Sequence, residues 1–146
     1  TDISASFGLD QLKRIDSWHS KRLEIVEKYN HGLNEIDGID IPKHYEGILH
    51  AWHLYVIKIN PEYWMINRDE IIGEINKNGV GTSVHYIPIH MHSYYIKKYN
   101  FNSTDFPVAK DLSERAISLP IYPLLNEESI SYIIKVLNNI WNKFKK

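Results

Sequence analysis

Residues 82–95, TSVHYIPIHMHSYY, gather three of the chain's eight histidines and three of its ten tyrosines. An imidazole can ligate zinc, copper or nickel, and its charge changes near neutral pH. A tyrosine hydroxyl donates or accepts a hydrogen bond. The strip could therefore hold a metal, move a proton or grip a polar ligand. A metal needs three or four ligands converging on one point. His90 and His92 would share a face of an extended segment, but Pro88 breaks the regular geometry between them and His85. No HExxH pattern or comparable spacing occurs. No metal site is expected.

Other chemistries are easier to set aside. The chain has no cysteine, which removes disulfides, thiol catalysis and Cys-ligated zinc and suits a reducing cytoplasm. There is no GxSxG nucleophile elbow. GVGT at 79–82 follows a helical pattern and leads into a strand-like one, the reverse of the order in which a glycine-rich loop cradles phosphate. Its glycines read as a helix C-cap and a turn. YYIKKYNF at 94–101 interleaves aromatics with two lysines, too few for a nucleic-acid surface. The formal net charge of −1, from 17 basic and 18 acidic residues, gives no field toward nucleic acid or an anionic membrane. No apolar run approaches the ~20 residues of a membrane helix. Neither nucleic acid nor membrane is expected as a partner.

His85, Tyr86, His90, and Tyr94 or Tyr95 remain as a polar strip. On spacing alone, these residues either contact a ligand or cap the rim of a core.

The elements that would position them can be read from periodicity. The chain of 146 residues, 43% hydrophobic and 24% charged, has ordinary globular usage and the length for one domain with a real core. Residues 3–35 read as one long amphipathic helix, stopped by Asp37-Gly38. ILHAWHLYVIKI at 48–59 reads as a central strand, ended by Asn60-Pro61. Asn67 caps a helix over 68–78. Residues 80–87 form a second strand that Pro88 breaks, and 89–99 a short helix or loop. Thr104 or Asp105 starts a helix with Pro107 in its first turn. Residues 117–119 are a third strand, and Asn126 caps a last helix. Trp52, Trp64 and Trp141 belong to the core. A small sheet with helices mainly on one side fits this order.

The same segments resemble the carboxyl-terminal part of the DegT/DnrJ/EryC1/StrS family of pyridoxal-phosphate sugar aminotransferases. The likeness runs from TDISASFGLDQLKRID, with Arg22 and Tyr29 following, through AWHLYVI and GVGTSVHYIPIHMHSYY to DFPVAKDLSERAISLPIYPLLNEESISYIIKVL. Within the family, the HYIPIH and AISLP stretches look most like members serving pseudaminic acid biosynthesis, with spore-coat polysaccharide members close by.

The resemblance implies an α/β (α+β) fold: the small domain of a fold-type-I aminotransferase over 37–146. Its sheet would be three- to four-stranded and mainly antiparallel, with helices packed on one side and a long linking helix over 1–36 before it. It implies a cytoplasmic homodimer that moves an amino group from glutamate to a 4-keto nucleotide sugar, with pyridoxal 5′-phosphate as cofactor. His85, Tyr86, His90, Tyr94 and Tyr95 would contact the substrate, while Asp2, Gln11, Arg22 and Tyr29 would be structural. The Schiff-base lysine and the cofactor's other partners belong to a large domain amino-terminal to Thr1. No catalytic or cofactor-binding residue is therefore expected here, and a piece of a longer protein, inactive alone and prone to self-association, is. The rival expectation is a stand-alone, non-enzymatic domain of the same descent that binds a sugar nucleotide or a protein.

Overall fold

Asn67 and Asn126 open helices as their sequence contexts predict. A computed structural model describes all 146 residues. In it, Asn67 accepts from Glu70 N–H while Glu70 bonds back to Asn67 N–H, a complete capping box. Asn126 accepts from Ser129 N–H. Such caps satisfy amide groups that the first helical turn leaves unpaired, each worth about 1 kcal/mol.

The elements in chain order are α1 (Asp2–Leu12), α2 (Ile15–Leu33), β1 (Ile39–Asp40), β2 (Tyr55–Ile59), α3 (Arg68–Lys77), a single 3-10 turn (Ile89–Met91), α4 (Ser93–Tyr99), α5 (Pro107–Arg115), β3 (Ala116–Leu119) and α6 (Glu127–Phe144). The strands form one antiparallel sheet in the order β1-β2-β3. Tyr55 lies opposite Leu119, and Ile57 opposite Ile117. These side chains join Ile25, Val26 and Leu33 of α2, Ile71 and Ile75 of α3, and Ile133 and Leu137 of α6 in a single core, with Trp52 and Trp64 also buried. The other face of the sheet carries Val56, Lys58, Ala116 and Ser118, and the short α5 crosses part of it. No helix is long and apolar enough to cross a membrane.

Two tyrosines tie the layers together. Tyr29 donates to Pro120 O at 2.8 Å, Tyr55 donates to Asn30 Oδ1 at 2.7 Å, and their rings lie 4.9 Å apart. Burial pushes both hydroxyls well above the ordinary tyrosine range, with Tyr55 and Tyr122 adding to the effect at Tyr29. The fold thus favours the neutral phenols. Their contribution is complete below the unfolded pKa of about 10 and is lost as pH rises through the higher folded values. An alkaline titration should show Tyr29 and Tyr55 ionising last, together with loss of helical circular dichroism. Ionisation of all tyrosines at the ordinary value, with helicity intact, would contradict this burial.

The structure adds the short strand β1, where a connector was expected, and departs from the sequence reading in four other places. The predicted long helix is two helices. At the break Arg14 N–H turns to Gln11 O and Ser17 Oγ bonds Arg14 O, and α1 buries none of its residues, so no packing holds it in line with α2. Only 55–59 of the predicted strand 48–59 is extended, because Trp52 adopts a left-handed backbone at φ 48°. Phe106, not Thr104 or Asp105, precedes α5, with no side-chain cap.

Residues 80–87 are the fourth, and make no strand beyond a lone bridge between Ser83 and Ser118. The edge of β3 explains why. Two residues from Ser118 on one side, Pro120 has no N–H to offer. Two residues away on the other, Ala116 has its N–H on Leu112 O and its carbonyl on Arg68 Nη1. Pairing can therefore start at Ser83 but cannot spread.

Candidate functional site

Released from β3 after Ser83, the chain crosses the open face of the sheet and leaves a groove between itself, β2 and α5. Val56, Lys58, Val84, His85, Tyr86 and Leu112 are among its walls. It measures about 460 Å³. Grooves of about 490 and 540 Å³ lie elsewhere, one beside Tyr132 and one along β1, but neither contains a histidine. A fourth, beside Arg22, is lined by His19 and His53. There Arg22 donates to Trp52 O and Ile121 O, and His19 Nε2 bonds His50 O, so these side chains hold loops together.

His85 is exposed, with Nδ1 2.9 Å from Ser118 Oγ. Its ring meets that of Tyr86 edge-on at 4.9 Å, across a cis His85–Tyr86 peptide bond. Tyr86 is 75% exposed and makes no side-chain hydrogen bond that would occupy its hydroxyl. Lys58 Nζ stands 3.6 Å from Asp40 Oδ2, its cross-strand partner, and is the only charged side chain lining the groove. The groove therefore combines apolar walls with an ammonium, an imidazole and a phenol, and no carboxylate. Such a lining suits a ligand with oxygen acceptors and an apolar body.

The remaining sequence candidates lie outside the groove. His90 is 6% exposed, packed on Phe106 at 4.8 Å, with Nε2 3.4 Å from Ser103 O. It anchors a small aromatic cluster that runs through Phe101 to Tyr99 and Tyr95. Tyr94 is exposed and accepts from Lys98 Nζ at 3.0 Å. Tyr94 and Tyr95 sit on α4, and neither lines the groove. His92 is exposed, bonded to Ile87 O. No three histidine, aspartate or glutamate side chains converge as a metal site requires. Sequence reasoning missed Lys58 and Ser118. The signal available for Ser118 was a lone hydroxyl inside the apolar run AISL.

A model of the DegT/DnrJ/EryC1/StrS aminotransferase family matches residues 1–138. The chain belongs to this family. Among its relatives, the spore coat polysaccharide biosynthesis protein SpsC of Bacillus subtilis is 36% identical over 140 residues, which cover 95% of this chain and 36% of SpsC. Spr1654 of Streptococcus pneumoniae, described as a sugar aminotransferase and solved in its PMP form, superposes with a TM-score of 0.88 at 33% identity, covering 98% of this chain and 35% of that one. Helicobacter pylori PseC, an aminotransferase involved in the biosynthesis of pseudoaminic acid, superposes with a TM-score of 0.85 at 26% identity, covering 94% of this chain and 36% of that one. The mixed helix and antiparallel-sheet fold is thus that of sugar aminotransferases. The chain spans about a third of the length of the relatives it matches.

Spr1654 has been solved in PMP and PLP forms, so the groove can be tested against a pyridoxal-phosphate cofactor. Such a cofactor needs an amine to condense with its aldehyde and a carboxylate partner for its ring nitrogen. The His85 groove offers one amine, on Lys58, and no carboxylate. Its residues do not complete a cofactor site.

Proposed function

We propose that this chain is the small-domain portion of a pyridoxal-phosphate sugar aminotransferase, and that its groove forms the substrate-facing wall of the active site. In this reading the whole enzyme transfers an amino group from glutamate to a 4-keto nucleotide sugar for surface polysaccharide or glycan synthesis. It works in the cytoplasm as a homodimer. The cofactor and its lysine are held by parts of the family fold that this chain does not span, and this chain alone is inactive.

The observation that carries the reading is the groove itself. It places His85 and Tyr86, the two first-choice residues of the family-like segment, beside Lys58 on one open face. His85 and Tyr86 offer hydrogen bonds to sugar oxygens, Lys58 adds positive charge for an anionic group, and the apolar wall of Val56, Val84 and Leu112 excludes water behind them. His90, Tyr94 and Tyr95 support the neighbouring aromatic cluster and leave direct contact to His85 and Tyr86.

The test uses the full-length enzyme that contains this chain, assayed on a panel of UDP- and dTDP-4-keto sugars with glutamate. Removing one hydrogen bond to substrate costs about 1–3 kcal/mol, so His85→Ala should lower kcat/KM about 5- to 150-fold. His92→Ala should leave it within about twofold, as surface substitutions do. Equal activity of the wild type and the His85→Ala variant on every sugar that is turned over would sink the assignment.

A further inference from the structure

Ser118 is a buried hydroxyl in an otherwise apolar strand, 5% exposed between Ile117 and Leu119. Its main chain is held without help from its side chain, because Ser118 N–H donates to Ser83 O at 2.8 Å and Ser83 N–H donates to Ser118 O at 3.2 Å. The hydroxyl has a single hydrogen-bonding neighbour, His85 Nδ1 at 2.9 Å. A serine hydroxyl carries one proton to donate, and a neutral imidazole carries its proton on one nitrogen only.

Two arrangements of this pair are possible. If the imidazole proton sat on Nδ1, it would point at Ser118 Oγ, and the buried serine proton would have no acceptor. An orphaned buried donor is the costlier state. If the proton sits on Nε2, Ser118 donates to Nδ1 and the buried serine proton has its acceptor, while Nε2–H is left on the exposed side of the ring. We propose that Ser118 is a positioning residue that locks neutral His85 in the Nε2–H tautomer. His85 then meets a ligand in the groove as a hydrogen-bond donor and not as a base. Lys58, the groove's one charged group, is likewise donor-only. The ligand atoms facing these two side chains are accordingly acceptor oxygens, of a phosphate, a carboxylate, a carbonyl or a sugar. The inference about the ligand rests on the substrate-wall reading above, whereas the tautomer rests on the Ser118–His85 geometry alone.

Long-range proton–nitrogen correlation spectra of the nitrogen-15-labelled chain, recorded above the histidine titration range, read this directly. The wild type should show His85 Nε2 protonated and Nδ1 bare. In Ser118→Ala, both ring nitrogens should move toward the averaged positions of free histidine, while Ser118→Thr, which keeps the hydroxyl, should restore the wild-type pattern. Amide shifts at Ser83 report whether the bridge survives. An Nδ1–H tautomer in the wild type would overturn the proposal, as would wild-type ring shifts in a folded Ser118→Ala chain. If that variant does not fold, the wild-type spectrum still decides. No ligand is needed for these spectra, so a failure of the substrate-wall reading in the His85→Ala assay would leave the tautomer result standing, and the reverse also holds.

Discussion

Trp52→Ala is expected to destabilise the protein by about 3 kcal/mol, near the lower end of the range for emptying a buried tryptophan site. The ring is 2% exposed and packs on His50 at 4.2 Å and Tyr55 at 6.2 Å. Its Nε1 is buried without a partner, so removing the ring also removes an unpaired donor, which keeps the loss from the upper end. The backbone supplies a sharper test. At φ 48° a side chain with a Cβ is disfavoured by roughly 1–2 kcal/mol, and the wild type holds the position through both main-chain groups. Trp52 N–H donates to His50 Nδ1 at 3.0 Å, and Arg22 Nη1 donates to Trp52 O at 3.0 Å. Trp52→Gly should therefore be no less stable than Trp52→Ala, since relief of the left-handed strain offsets glycine's extra unfolded-state entropy of about 0.4–1 kcal/mol. At Ile57, inside β2, glycine should be clearly worse than alanine. Urea midpoints of the four variants decide this, and a Trp52→Gly chain markedly weaker than Trp52→Ala would show that the φ is not enforced.

Trp52 also shows what the sequence could not say about the fold. In several elements local rules decide, and there sequence and structure agree. The Asn67 and Asn126 caps, the apolar period of α6 and the apolar run of β3 all depend on residues within a few positions of one another. Where the deciding group is distant, they part. ILHAWHL has the composition of a strand, but a guanidinium thirty residues earlier in the chain holds the Trp52 carbonyl where the backbone is left-handed. The VHYI stretch has it too, yet Arg68 and the C-terminal end of α5 already occupy Ala116, and Pro120 lacks the donor that further pairing needs. The site divides in the same way. His85 and Tyr86 could be named from residue type and family likeness. Lys58 and Ser118 enter through strand register, which places them on the groove side of β2 and β3. The burial of His90 under Phe106, outside the groove, has no sequence signal, because a histidine reads alike in sequence whether it faces a groove or lies under a ring.

Gly38→Ala should cost about 2–4 kcal/mol and lower the melting temperature by about 10 °C, at roughly 2–4 °C per kcal/mol for a chain of this size. A Cβ at position 38 would fall against Trp64 Nε1, 2.6 Å from Trp141 Cζ3 and 2.8 Å from Trp64 Cδ1. Trp64 cannot easily withdraw. It is 2% exposed, its Nε1 donates to Gly38 O at 2.8 Å, and its ring meets Trp141 at 5.0 Å. Overpacking a rigid site costs about 1–3 kcal/mol, and losing the indole hydrogen bond adds about 1. Gly32 supplies the control. A Cβ there would also be crowded, 2.6 Å from Ile134 Cδ1 and 2.8 Å from its Cγ2, but both belong to one half-buried side chain on α6 that is not locked by a hydrogen bond and can shift. Gly32 lies inside α2, where alanine gains about 1 kcal/mol in helix propensity. Gly32→Ala should accordingly fall within about 1 kcal/mol of the wild type. The two substitutions add the same methyl, but the nearest atom is closer at Gly38, so the difference between them combines that closer approach with the stiffness of the neighbour. Equal melting temperatures for the two variants would mean that the paired indoles yield at least as readily as an isoleucine.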